Sequence, residues 1–185
     1  LARLPLSWMQ RAGWCMGWLV WALSPRYRHH FKRNVAIAGV AWSEARAAVG
    51  ATGVMLAELP WLWMRPHRQA LHDLIQWDGA EHLEAALSQG RGVIVMSPHI
   101  GCWEVGAQAI AERFGPRFGS LVALFRPARK AWLEPLVAQA RNRPHLDTVP
   151  TTLSGVRTLI RTLRGGGYTA ILPDQVPPQG QGVWA

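Results

Sequence analysis

The sequence predicts an α/β protein: a parallel βαβ sheet covered by helices, preceded by an N-terminal membrane-associated helical region. Three observations predict it. From Gly92 onward, short apolar runs alternate with helical stretches, the pattern of strands buried on both faces and joined by crossover helices. Before that point the texture is helical and apolar, and seven of the eleven tryptophans fall within the first 63 residues. A basic cluster, Arg26, Arg28, His29, His30, Lys32 and Arg33, follows directly on the first apolar run, as expected of a segment held at an anionic surface.

Residues 1–23 are apolar but interrupted by Arg3, Gln10 and Arg11. The clean run from Ala12 to Leu23 is short of the ~20 residues that span a bilayer. An interfacial or marginal single-span helix fits, and a cleaved secretory signal does not, because Ser24-Pro25-Arg26 follows the run. Residues 43–75 read as helix, with Ser43 able to cap it and with Pro60 and Pro66 breaking its later part. A further helix over Glu81–Ser88 closes at Gly90. The series then runs Gly92–Met96 strand, Gly101–Phe114 helix, Ser120–Phe125 strand, Lys130–Arg141 helix, Leu146–Val149 strand, Leu153–Arg164 helix, Tyr168–Leu172 strand. The expected organisation is therefore a membrane-anchoring helix over 1–23, a helical region over 24–90, and an α/β core over 91–185. The chain ends in mid-pattern after Val183-Trp184-Ala185, and a C-terminal part of the core is expected beyond that point.

Composition narrows the function classes. With 49% hydrophobic and 17% charged residues the chain has the makings of a packed core. Lys plus Arg number 20 against 11 for Asp plus Glu, a formal net charge of +9. That balance favours an acidic partner: nucleic acid, anionic lipid or an acidic carrier protein; no nucleic-acid-binding signature accompanies it, and an Arg-rich composition can also reflect a GC-rich genome, so charge alone decides little. The two cysteines, Cys15 and Cys102, form neither a disulfide framework nor a zinc motif. His29-His30 and His82 lack partners at ligand spacing and there is no P-loop, so neither metal nor cofactor is expected. A serine hydrolase is disfavoured because no G-x-S-x-G elbow occurs.

The chemistry concentrates in Val95-Met96-Ser97-Pro98-His99-Ile100-Gly101-Cys102-Trp103-Glu104. A buried strand ends at Ser97-Pro98, His99 lies in the turn, and a helix opens near Gly101. Ligands of open α/β sheets bind at the carboxyl ends of strands, where His99 falls. Because His99 precedes the helix, the chain can fold back to bring Glu104 against the imidazole. Such a carboxylate fixes the tautomer while the ring takes a proton from a hydroxyl. Arg126 follows the next strand in sequence, which is read as the neighbour of the strand ending at Ser97, so the two strand ends bring Arg126 and His99 to one cleft. Asp174 follows the last strand, either joining the cleft, where it could pair with Arg126, or serving as a turn carboxylate. Arg157, Arg161 and Arg164 recur at spacings of four and three, giving a basic stripe for phosphates or an acidic protein, or an ordinary solvated face. Cys102 faces the same helix start, where a nucleophilic thiolate is conceivable.

The segment His99-Ile-Gly-Cys-Trp-Glu104 resembles the His-x4-Asp/Glu box of glycerolipid-type acyltransferases. Its H-x-G-x-W-E form is similar to that of the lipid A biosynthesis lauroyl/myristoyl acyltransferase family. Phe125-Arg126-Pro127, Ser154-Gly155-Val156-Arg157 with Leu163-Arg164-Gly165-Gly166, and Leu172-Pro173-Asp174-Gln175 resemble further motifs of that family in the same order. The resemblance implies transfer of a fatty acyl chain from acyl carrier protein, or coenzyme A in some relatives, to a hydroxyl of a lipid A precursor at the cytoplasmic face of the inner membrane. It implies His99 as general base and Glu104 as its orienting carboxylate. Arg126, Asp174, Arg157, Arg161 and Arg164 become substrate-binding candidates. Phe125 stands where that family commonly has Tyr. Two rivals remain. One is an acyltransferase acting on glycerol-phosphate lipids, which usually carries Pro-Glu-Gly in place of Pro-Asp-Gln. The other is a non-catalytic membrane-binding protein, which has no need of His99 or Glu104.

Overall fold

The computed structural model describes residues 4–66, 69–125, 137–138 and 141–174 of the chain. It divides into two compact units, residues 1–66 and residues 67–185.

The N-terminal unit is helical. Its elements are α1 (Leu6–Leu23), α2 (Pro25–Ala38), α3 (Trp42–Ala45) and α4 (Ala47–Met64). The basic segment after the first apolar run is thus itself a helix. Ser24 caps it, its hydroxyl accepting from Tyr27 N–H at 3.2 Å, with Pro25 at the first helical position. The Arg28 guanidinium turns back on α1, donating to the carbonyls of Ala22 and Trp21 at 2.6 and 3.2 Å and lying over the Trp21 ring. A cation there satisfies carbonyls that a helix C-terminus leaves unpaired. Pro60 does not break the later helix as expected; it sits inside α4, which runs on to Met64 and stops before Pro66.

Helices α1 and α4 pack along their length through glycine. A Cβ on Gly13 would meet the Gly53 carbonyl and Ala57, one on Gly17 the Val49 carbonyl, and one on Gly53 the backbone of Gly13 and Gly17. The Trp14 ring covers Gly50. Backbones this close need small residues at the seam, the arrangement found between helices in lipid, where packing replaces the hydrophobic effect. Gln10 donates to Glu58 across the pair at 2.7 Å, so the carboxylate in this apolar seam is bonded. The outer surface is left apolar: Trp8, Met16, Leu19, Leu23 and Leu56 are all exposed. Among the described residues one stretch, Trp42–Met64, is long and apolar enough to cross a membrane, with mean hydropathy 1.2.

The second unit is the predicted α/β sheet. Its elements are α5 (Ala80–Ser88), β1 (Val93–Met96), α6 (Trp103–Phe118), β2 (Leu121–Phe125), β3 (Leu146–Pro150), α7 (Leu153–Arg164) and β4 (Tyr168–Ile171), with a short 3-10 turn at His72–Leu74. The four strands are parallel in the order β1-β4-β2-β3. Strand alternation divides the side chains between two faces. Leu121, Leu146 and Tyr168 join Phe114 and Ala111 of α6 and Ala80 and Leu87 of α5 in one core. On the other face Leu124 meets α7 at Gly155, where a Cβ would collide with the Pro150 carbonyl. Helix α5, which the sequence groups with the preceding helical region, is thus part of the sheet's core. Tyr168 is fully buried, its hydroxyl donating to the Gly119 carbonyl at 3.1 Å, and burial pushes its phenol up to about 12. Most of the helix expected over Lys130–Arg141 lies outside the described residues; Val137, Ala138 and Arg141 are helical.

The glycine seam predicts the outcome of filling it. Gly53→Leu should force α1 from α4 and destabilise the helical unit by ~1–3 kcal/mol or more. Thermal unfolding of the detergent-solubilised protein, followed by circular dichroism, measures this. An unchanged midpoint would mean the helices are not held at this distance.

Candidate active site

The site follows from strand register. Parallel pairing sets Met96 of β1 opposite Ile171 of β4. His99 lies three residues past the first and Asp174 three residues past the second, so both leave the sheet at the same level. The His99 backbone N–H donates to Asp174 Oδ2 at 2.8 Å, and His99 Nδ1 lies 2.7 Å from Asp174 Oδ1. One carboxylate therefore fixes both the turn and the ring. The Trp103 ring, 5.3 Å away by centroids, lies against the imidazole and further restricts its rotation. Gly101 takes φ +57° between the strand end and α6, a left-handed turn that a side chain would disfavour.

The two hydrogen bonds from His99 hold the Asp174 carboxyl below the usual carboxylate range, the backbone N–H contributing most. An ionised carboxylate only accepts, so the proton it shares sits on Nδ1 and the ring's lone pair is on Nε2. An imidazole in that tautomer can take a proton from a hydroxyl and return it to a leaving group. Both side chains stay accessible, at 26% for His99 and 39% for Asp174.

Glu104 is placed differently from the expectation. It lies in the first turn of α6, where a carboxylate is favoured by the helix dipole. Its hydrogen bonds go to Arg141 rather than to the imidazole: Arg141 Nη2 donates to Oε1 at 2.6 Å and Nε lies 3.5 Å from Oε2. The carboxylate is only 13% exposed and the guanidinium 20%. The guanidinium also covers the Phe125 ring at 4.7 Å, so it ties the end of β2 to the start of α6. Its buried Nη1 has no partner among the described residues. Sequence reasoning passed over Arg141, and nothing local distinguishes it from Arg143 two residues on; the sequence signal was only that it closes the expected helix.

Other expected members fall as follows. Asp174 pairs with His99. Arg126 lies outside the described residues, as does Gln175. The strand before Arg126, β2, is not the neighbour of β1 as expected, since β4 lies between them. Arg157, Arg161 and Arg164 are all exposed on α7, while Gly155 and Leu159 of the same helix are buried. Beside them Leu153, Val156 and Ile160 are exposed too, so the outward face of α7 is basic and apolar together. Cys102 is half-buried just before α6. No group of three or more potential metal ligands occurs among the described residues.

The sequence profile of the bacterial lipid A biosynthesis acyltransferases matches the chain over residues 1–185. No curated protein matches it.

The lowered Asp174 carboxyl has a consequence for stability. On acidification the unfolded chain takes up the proton first. The stabilisation from Asp174 is therefore complete above the ordinary carboxylate pKa of ~4 and is lost as pH falls through the lower, folded value. Asp174→Asn should make stability less dependent on pH in this acid range. Denaturant unfolding at a series of acidic pH values reads this out, and parallel curves for variant and parent would contradict the pairing.

Proposed function

The chain belongs to the bacterial lipid A biosynthesis acyltransferase family, and on that premise we propose that it moves a fatty acyl chain from acyl carrier protein to a hydroxyl of a lipid A precursor, with His99 as the base and Asp174 as the carboxylate that orients it. The observation that carries the reading is the double hydrogen bond from His99 to Asp174 at the ends of adjacent parallel strands. In this mechanism His99 Nε2 takes the proton of the acceptor hydroxyl as its oxygen attacks the thioester carbonyl. The tetrahedral intermediate collapses, the C–S bond breaks, and the imidazolium returns the proton to the departing thiolate. No acyl-enzyme is required, which agrees with leaving Cys102 out of the chemistry. Asp174 stabilises the imidazolium in passing.

Glu104 is then a positioning residue rather than the partner of His99. Paired with Arg141, it pins the first turn of α6, and with it Trp103 and the His99 turn, to the end of β2. Arg126, next in the chain after Phe125, is the candidate for holding a substrate phosphate or charge on the developing oxyanion. Arg157, Arg161 and Arg164 offer an acidic carrier protein a charged face, with Leu153, Val156 and Ile160 as its apolar complement. The apolar N-terminal helices and the basic α2 support a location on the cytoplasmic face of the inner membrane, drawn to its anionic surface.

In purified full-length enzyme given acyl carrier protein thioester and lipid acceptor, His99→Ala should lower turnover by ~10²–10⁴. Asp174→Asn should approach that loss. Glu104→Gln, which keeps its shape and one hydrogen bond to Arg141, should lose less than Asp174→Asn. Near-normal turnover of the Asp174 variant, or a much deeper loss at Glu104, would return the orienting role to Glu104.

The carrier surface is tested separately. Reversing charge in Arg157→Glu together with Arg161→Glu should raise KM for the carrier-bound donor about tenfold or more, the effect of placing like charges across an interface. The kcat at saturation should hold, and a coenzyme A thioester should be unaffected. Equal KM values for both donors in parent and variant would make α7 a solvated face only.

A further inference from the structure

Along the seam of α1 and α4 the N-terminal unit carries an open groove of about 470 Å³ that the acyl-transfer chemistry does not use. Its floor is the close-packed glycine seam. Met16, Val20 and Leu56 stand along it, all at least partly exposed, and Tyr27 of α2 closes the end beside Val20. From Met9 to Val20 the groove follows three turns of α1, about 16 Å at 1.5 Å per residue. That is the depth of one leaflet, half of a hydrocarbon core ~30 Å thick. The Tyr27 end meets a charged face: Arg26, His30 and Arg33 recur at spacings of four and three on α2, and all are exposed.

We propose that this groove holds one acyl chain of an anionic bilayer phospholipid, with its phosphate at the Tyr27 end against the basic face of α2. The proposal rests on the reading that the N-terminal unit lies in the membrane. Length and lining select a single extended chain, since the walls are apolar apart from Thr52, whose hydroxyl is taken up by the Ala48 carbonyl at 2.8 Å, and the floor leaves no room for a side chain. Charge selects an anionic headgroup, because the groove's one polar end is flanked by cations.

The test uses the full chain in vesicles of phosphatidylcholine and phosphatidylglycerol carrying a trace of phosphatidylglycerol with a diazirine on its acyl chain. Label should concentrate on Met16, Val20 and Leu56 over equally apolar sites away from the groove, such as Trp8 and Leu23. Unlabelled phosphatidylglycerol should compete it away better than phosphatidylcholine does. Ala12→Trp, which puts a ring into the groove from an exposed position, should abolish the groove label while the variant still floats with vesicles and keeps its unfolding midpoint. Label spread evenly over the apolar surface would overturn the proposal, as would cross-links between two copies along the groove in place of lipid label. Failure of the parent protein to float with vesicles would instead overturn the membrane reading beneath it.

Discussion

Parallel pairing of β1 with β4, in the register that sets Met96 opposite Ile171, is the constraint on which the site depends. A strand pair fixes position to within a fraction of a residue, because a slip of one would turn every side chain to the other face. Here both strands bury a face against α5 and α6 through Val93, Tyr168 and Ala170. A slipped register would expose that surface, so the core enforces the alignment. His99 and Asp174, 75 positions apart in the chain, are thereby delivered to hydrogen-bond distance without either residing on a long flexible loop. The carboxylate then spends one oxygen on the backbone and one on the ring, which converts a turn into a pre-oriented base.

The second polar pair does different work. Glu104 and Arg141 are more buried than the His99 pair and carry opposite charges that offset one another. Leaving either alone would strand a largely buried charge, at a cost larger than the pair itself contributes. Its geometry joins three segments: the end of β2 through Phe125, the start of α6 through Glu104, and the segment before β3 through Arg141. One pair of side chains thus holds the rim around the base, and the base itself is held by Asp174 at the end of β4. In the N-terminal unit the same economy is achieved without charge. Glycine lets two helices approach to backbone contact, and Trp8, Met16, Leu19, Leu23 and Leu56 are left exposed on the outer surface.

Much of this was legible in the sequence because it is local. Strand and helix periodicities locate β1 to β4 and α7 to within a residue or two, and the Pro-His-x-Gly turn marks the site. Strand order was not legible. Nothing in the residues of β4 states that it inserts between β1 and β2, so the carboxylate near in sequence, Glu104, looked the natural partner for His99 and the distant Asp174 did not. Helix α2 falls within the helical region expected over 24–90, and its start is legible in Ser24-Pro25, a cap followed by proline at the first helical position. Pro60 was expected to break a helix, but α4 tolerates the missing donor within its apolar run. The seam glycines recur in pairs, Gly13 with Gly17 and Gly50 with Gly53, but spacing alone does not say which two helices meet at them.

The central claim is that His99 and Asp174 act as one unit. A double-mutant cycle in single-turnover acyl transfer, with His99→Ala, Asp174→Asn and the combined variant, measures it most directly. If Asp174 works only through the imidazole, the combined variant should be no slower than His99→Ala alone. If the two losses multiply, Asp174 acts independently of His99 and the account of the site is wrong.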